Sequence, residues 1–174
     1  NGILEEKESV VPYCPNCQTS LSHAEVSQGY ENVEDPSLYY KVKLANEDAF
    51  LILWTTMPFT VITDMMTGVK PESLYSYIKV NNEIWIVANE RLDELMTIFH
   101  IENFELIKEV QGKSVDGLKY IHPLTEKYIP ELHKLSKTNG VHCIVAEDFV
   151  DLSTWTGLVH ISPANGEIDF DIGK

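Results

Sequence analysis

No stretch constrains the fold more than Ser76–Val87. Ser76-Tyr77-Ile78-Lys79-Val80 and Glu83-Ile84-Trp85-Ile86-Val87 are rich in β-branched and aromatic residues, and Asn81-Asn82 separates them. Asparagine tolerates the left-handed backbone that a two-residue loop needs, so the stretch predicts a β-hairpin. A hairpin alone is barely stable and must bury one face against further strands. The chain supplies them. Tyr39–Leu44 alternates, Asn46–Asp48 reads as a turn, and Ala49–Trp54 is a continuous apolar run expected to be a strand buried on both faces. Phe104–Val110 and Val141–Val150 also read as strands, and Gly112 and Gly117 punctuate a loop towards Leu118–Leu124. One helix is expected, capped by Asn89, with Leu92, Leu95, Met96 and Phe99 on a single apolar face. Seven or more short strands, one helix and no repeat predict a mainly β (α+β) fold, a closed barrel-like core with helices on its outside.

At 174 residues the chain can build one domain, with room for a small appendage. No apolar run approaches the ~20 residues that cross a bilayer. Net charge is −14, from 27 acids against 13 bases, and Arg91 is the sole arginine. That argues against broad binding to a nucleic-acid backbone while leaving room for a pocket that takes one nucleotide end. The start, Asn1–Glu8, has neither a signal-peptide pattern nor an initiator Met, and the chain stops at Lys174 as a helix begins. Both ends predict a piece of a longer polypeptide.

Two of the three cysteines form Cys14-Pro15-Asn16-Cys17. Thiolates across a tight turn can share a tetrahedral ion, so residues 1–30 read as a lead-in segment with half a zinc knuckle, and 31–174 as the β domain. His23, His142 and Cys143 are poor completing ligands, since His142 and Cys143 are neighbours on a strand and face opposite ways. A pair of free thiols is the alternative. Either way, the cysteine usage fits a reducing cytoplasm rather than a disulfide framework. His122 and His133 read as surface or packing residues.

Two further stretches have chemical promise. After Ala49–Trp54 comes Thr55-Thr56-Met57-Pro58-Phe59-Thr60, where Pro58 breaks the ladder and leaves hydroxyls at the bend. Near the end, Leu158, His160 and Ser162 share a strand face, Pro163 ends the strand, and Asn165 or Gly166 opens a helix containing Glu167 and Asp169. A helix start favours an ionised Asp169, which can grip a cation beside the imidazole. The alternative is a core histidine and ordinary helix-start acids.

Together, Trp54–Thr60 and Gly157-Leu158-Val159-His160-Ile161-Ser162-Pro163-Ala164-Asn165-Gly166-Glu167-Ile168-Asp169 resemble the editing domain inserted in class I isoleucyl, valyl and leucyl tRNA synthetases. The tryptophan before the threonines and His160 after Gly157-Leu158-Val159 point to the isoleucyl branch. The resemblance runs from Pro12 to Lys174. It implies a closed β-barrel and hydrolysis of valine wrongly esterified to the terminal adenosine of isoleucine tRNA, by water attack on the ester. A missing methylene gives only ~1–3 kcal/mol of discrimination in a first pocket, so a second, size-excluding site is needed. By the same resemblance Asp169 would hold the α-ammonium and His160 would line the amino-acid pocket. Thr55, Thr56 and Thr60 would contact the adenosine and ester. Met57 stands where the family has a third threonine, Phe59 for a tryptophan, Asp64 for an asparagine, and Asn165 for a frequent histidine. Asp64 can accept a hydrogen bond as an asparagine does, but cannot donate one.

The implied partners are the terminal adenosine of tRNA(Ile) carrying valine and the rest of an ATP-using synthetase in cis. No membrane partner is expected, and the fragment reads as monomeric, with weak affinity for the tRNA body. No cofactor is implied for hydrolysis. A zinc is implied for the full-length enzyme, held by Cys14, Cys17 and a second cysteine pair beyond the chain. The alternatives are a valyl- or leucyl-type editing domain, or an editing fold that binds without hydrolysing.

Overall fold

The computed structural model describes residues 4, 6–138, 140–153 and 155–174. Residues 1–3 and 5 of the lead-in segment, and Thr154 before the closing strand, lie outside the described residues. The elements in chain order are β1 (Tyr13–Cys14), β2 (Thr19–Ser20), α1 (His23–Ser27), β3 (Leu38–Leu44), β4 (Ala49–Thr55), β5 (Met66–Val69), β6 (Leu74–Val80) and β7 (Glu83–Ala88). There follow α2 (Leu92–Ile98), β8 (Glu105–Gln111), β9 (Tyr120–Ile121), α3 (Thr125–Tyr128), α4 (Pro130–Leu135), β10 (Cys143–Ala146), β11 (Val159–Ile161) and α5 (Glu167–Ile172).

The expected hairpin is β6–β7. Val80 pairs with Glu83, which leaves Asn81-Asn82 as the loop, and Asn81 adopts φ 54°. It sits inside a six-stranded sheet of order β8-β6-β7-β4-β3-β9. In β4, at the centre, Leu51 and Leu53 enter the main core while Ile52 points the other way, onto Leu95 and Met96 of α2. Both faces of that strand are therefore dry, which is why its sequence is uninterrupted apolar. The main core lies between this sheet and a three-stranded one of order β10-β5-β11, which contributes Val69 and Ile144 together with Leu158 beside β11.

Four expectations need correction. No closed barrel is found among the described residues. The large sheet ends at β8, exposed along most of its length. At its other edge, Tyr120 N–H donates to His142 O and Ile144 N–H to Leu118 O, each at 2.9 Å. The two sheets thus meet at a β9–β10 corner instead of forming one continuous ladder. Next, among the described residues there are five α-helices, where the sequence predicts only α2 and the one opened at Asn165 or Gly166. Four of them span six residues or fewer, too short for an apolar period to register. In addition, Asn89 does not cap α2. A 3-10 turn over Asn89–Arg91 moves the helix start to Leu92, and the Asn89 amide donates to Glu109 on β8 instead. Finally, the strand expected over Val141–Val150 is confined to β10.

Gly157 fixes where β11 begins. Its φ is +71°, and a Cβ placed there would lie 2.3 Å from the Ala88 Cβ of β7. Its carbonyl accepts the Tyr75 hydroxyl at 2.9 Å. Only glycine meets both demands without strain.

Candidate functional site

One wall of the site forms where β4 runs out. Thr55 is its last residue, and Pro58, which needs no N–H partner, opens a 3-10 turn over Pro58–Thr63. Thr55 Oγ1 accepts the Met57 N–H at 3.0 Å, and Thr60 Oγ1 donates to Met57 O at 2.8 Å. The Met57 backbone is thus pinned from both sides while its side chain is 56% exposed. The opposite wall is β11, where His160 stands in register with Thr67 of β5. Pro163 ends that strand, as the sequence predicts, and of the two N-cap candidates, Asn165 and Gly166, it is Gly166 that opens α5.

Side-chain bonds join the walls. His160 Nε2 lies 3.2 Å from Thr60 Oγ1. Asn165 Oδ1 accepts from Thr63 Oγ1 at 2.8 Å and from Ser162 Oγ at 2.6 Å. Between them lies an open cleft of about 280 Å³. Thr55, Thr56, Met57 and Thr60 line one side, and His160 and Asp169 the other. Trp54 and Trp155 also line it and stack on each other, with ring centroids 4.5 Å apart and planes at 13°.

Asp169 is half-buried, and its Oδ2 accepts the Ser162 N–H at 2.9 Å. Burial raises its pKa, and the Ser162 bond opposes this only in part. The sequence expectation that the helix start governs this group is therefore revised: desolvation dominates. Gly166 makes room for the carboxylate, because a Cβ there would lie 2.9 Å from Asp169 Cγ.

Asp64 is not where the sequence suggests. It follows the 3-10 turn in extended conformation and runs beneath β11, with its side chain 0% exposed and outside the cleft lining. Its Oδ2 accepts the Tyr120 hydroxyl at 2.8 Å, and its Oδ1 faces His160 Nδ1 at 3.7 Å. The Asp64 side chain therefore lies behind His160 and not on the cleft surface, away from the substrate-facing position the resemblance implies.

Other histidines serve the fold. His122 is buried rather than on the surface: its Nε2–H donates to Val61 O at 2.7 Å, and its Nδ1 accepts from Leu124 and Thr125 N–H. His142 is buried too, and desolvation, helped by the charge of His122, pushes its pKa down to about 4.

The sequence reading gave Arg91 no structural role. Its Nε donates to Trp155 O at 3.0 Å, its Nη1 to Ser153 O at 3.1 Å, and its Nη2 pairs with Glu94 at 2.7 Å. Being the sole arginine was the available signal, since a fork of five fixed donors suits loop carbonyls.

Cys14 ends β1 and Cys17 lies within the β1–β2 turn, with its N–H directed at Cys14 Sγ at 3.4 Å. That bond heads the causes that lower the Cys14 pKa. The same pairing raises the Cys17 pKa, so the turn by itself favours one thiolate, and a bound cation would be needed to hold both as ligands of half a tetrahedral site. Among the described residues no group of three or more His, Cys, Asp or Glu side chains is placed to hold a metal. None of the helices described is long and apolar enough to cross a membrane.

No family model matches the chain. The isoleucine–tRNA ligase of Methanocaldococcus jannaschii is 38% identical over 182 residues, covering 99% of this chain and 17% of that protein. That of Methanococcus maripaludis is 42% identical over 171 residues, covering 93% of the chain and 16% of the protein. The chain thus spans about one-sixth of the length of the relatives it matches. Among solved structures, GlLeuRS-CP1 superposes with a TM-score of 0.59 at 16% identity, over 78% of this chain and 58% of that one. The editing domain of P. knowlesi cytosolic leucyl-tRNA synthetase gives 0.55 at 12% identity, over 77% and 59%. At such identities the likeness establishes the fold, a mixed α/β architecture made mostly of sheet. The sequence matches establish homology to isoleucine–tRNA ligases along nearly the whole chain.

Proposed function

We propose that this chain, a homologue of isoleucine–tRNA ligases with the fold of a class I synthetase editing domain, hydrolyses valine from tRNA(Ile) within a larger cytoplasmic ligase. One observation supports the reading above the others: Asp169 and His160 face Thr55–Thr60 across a single open cleft.

In this reading the Asp169 carboxylate, whose Oδ2 already accepts the Ser162 N–H, receives the α-ammonium of the misattached amino acid. A group partly removed from water binds a cation more strongly than one at the surface. His160, 13% exposed along its side chain, limits the length of aliphatic chain that fits beside it. Exposed Thr56 contacts the terminal adenosine, while Thr55 and Thr60 hold the Met57 backbone at the cleft edge. Water adds to the ester carbonyl, the bond from that carbon to the ribose oxygen breaks, and the water proton passes to the departing oxygen. Free valine and an intact 3′ end leave. Positioning supplies most of the acceleration for such a labile bond.

Cys14 and Cys17 would hold two corners of a zinc whose role is to fix the lead-in hairpin, with the other ligands coming from elsewhere in the ligase. The test of the main reading is deacylation of valyl-tRNA(Ile), with isoleucyl-tRNA(Ile) as control. Valine release that is lost in Asp169→Ala is expected, and unchanged release in that variant removes the role of Asp169. Binding of a valyl-adenosine analogue without any release would favour a binding-only fold, with Met57 in place of the missing hydroxyl.

A further inference from the structure

Behind the cleft, Asp64 and His160 present two buried atoms with no other partner. Among the described residues neither Asp64 Oδ1 nor His160 Nδ1 makes a hydrogen bond, and they lie 3.7 Å apart. Burial denies both atoms water, so each depends on the other. A lone pair on Nδ1 facing a carboxylate would be repelled, whereas a proton there is attracted. The second oxygen, Oδ2, is occupied by Tyr120, which can only donate to it, so Asp64 cannot turn to another partner without breaking a buried 2.8 Å bond.

We propose that Asp64 is a positioning residue that holds the His160 proton on Nδ1 and so turns an Nε2 lone pair toward the cleft. The inference rests on the hydrolytic reading above and supplies its missing proton acceptor. Thr60 completes the device. Its hydroxyl has two acceptors in reach, Nε2 at 3.2 Å and Met57 O at 2.8 Å. Its proton is engaged by Met57 O, the shorter of the two contacts, which leaves the Nε2 lone pair free for an approaching water. Nε2 then accepts the proton of the attacking water and returns it to the departing ribose oxygen, so the ring ends as it began. Asparagine at position 64, the residue the family pattern carries, could not repel a lone pair in this way.

The test reads the ring directly. In this chain, nitrogen NMR of His160 at alkaline pH should give Nδ1 a protonated-type shift and Nε2 a lone-pair-type shift. In Asp64→Asn, Tyr120 still donates, so it holds the amide oxygen in place and turns the amide NH2 toward Nδ1. The two nitrogen shifts should exchange, and valyl-tRNA(Ile) deacylation should fall on the order of tenfold to a hundredfold. Adding Tyr120→Phe frees the amide to rotate and should restore the wild-type shifts. Tyr120→Phe alone keeps the carboxylate and should leave them unchanged. A wild-type ring with its proton on Nε2 overturns the inference, whether or not the variants fold. So does an exchanged tautomer with undiminished deacylation. Wild-type protein that shows the expected shifts but releases no valine refutes the hydrolytic reading and leaves the Asp64–His160 arrangement standing.

Discussion

Gly157→Ala puts the link between strand placement and site to a quantitative test. The new Cβ would sit 2.3 Å from Ala88 Cβ and 3.1 Å from Leu152 Cδ2, at a backbone φ of +71°. The left-handed conformation costs an alanine about 1–2 kcal/mol. The close contact adds about 1–3 kcal/mol, because Ala88 is wholly buried on a central strand and has nowhere to move. Lower entropy of the unfolded chain returns about 0.4–1 kcal/mol. The net loss is about 3 kcal/mol, or roughly 6–12 °C in Tm for a chain of this size. Urea unfolding followed by tryptophan fluorescence measures it. Pairing the change with Ala88→Gly separates its parts: the contact with Ala88 disappears and the dihedral contribution stays, so the two substitutions couple by about 1–3 kcal/mol. A loss below about 1 kcal/mol, or strict additivity with Ala88→Gly, refutes the account of Gly157 as a forced close approach.

Asp169→Asn should abolish valine release and yet stabilise the fold at neutral pH. Burial raises the Asp169 pKa, so its contribution to stability is present below the ordinary carboxylate value and lost as pH rises through the folded value; the gain from Asn should therefore appear in urea midpoints near neutrality and vanish in acid. His142 works with the opposite pH sense. Its folded pKa of about 4 lies below the ordinary imidazole value, so stability falls as pH drops from about 6.5 to 4, by on the order of 3 kcal/mol, and His142→Leu should flatten that dependence. Met57→Thr should change stability by no more than about 0.5 kcal/mol, because the exposed side chain bears no structural load and the backbone bonds remain. Its effect should appear in deacylation alone, as a rate equal to or above wild type.

Local patterns were readable where one short period decided the outcome. β-Branched and aromatic residues on either side of Asn81-Asn82 fixed β6 and β7, and unbroken apolarity in Ala49–Trp54 announced a strand covered on both faces. The pairing of His160 and Asp169 on one wall was readable too, since nine residues of strand, turn and helix join them. What escaped was whatever depends on register between distant strands. Asp64 and His160 are 96 positions apart in sequence, and they meet only because β11 pairs with β5, the strand that starts two residues after Asp64. Asn89 misled because it is a good capping residue in the right place, and a 3-10 turn leaves no trace in apolar periodicity. The open β8 edge escaped for a related reason: strand count does not reveal whether the last ladder closes.

The inward-turned Arg91 has a kinetic consequence. Its guanidinium is engaged with two loop carbonyls and Glu94, so the surface meets solvent with lysines alone against a net charge of −14. A polyanion diffusing toward this chain is repelled at long range. Added salt should therefore quicken encounter between the two until screening is complete, the reverse of what basic nucleic-acid-binding surfaces do.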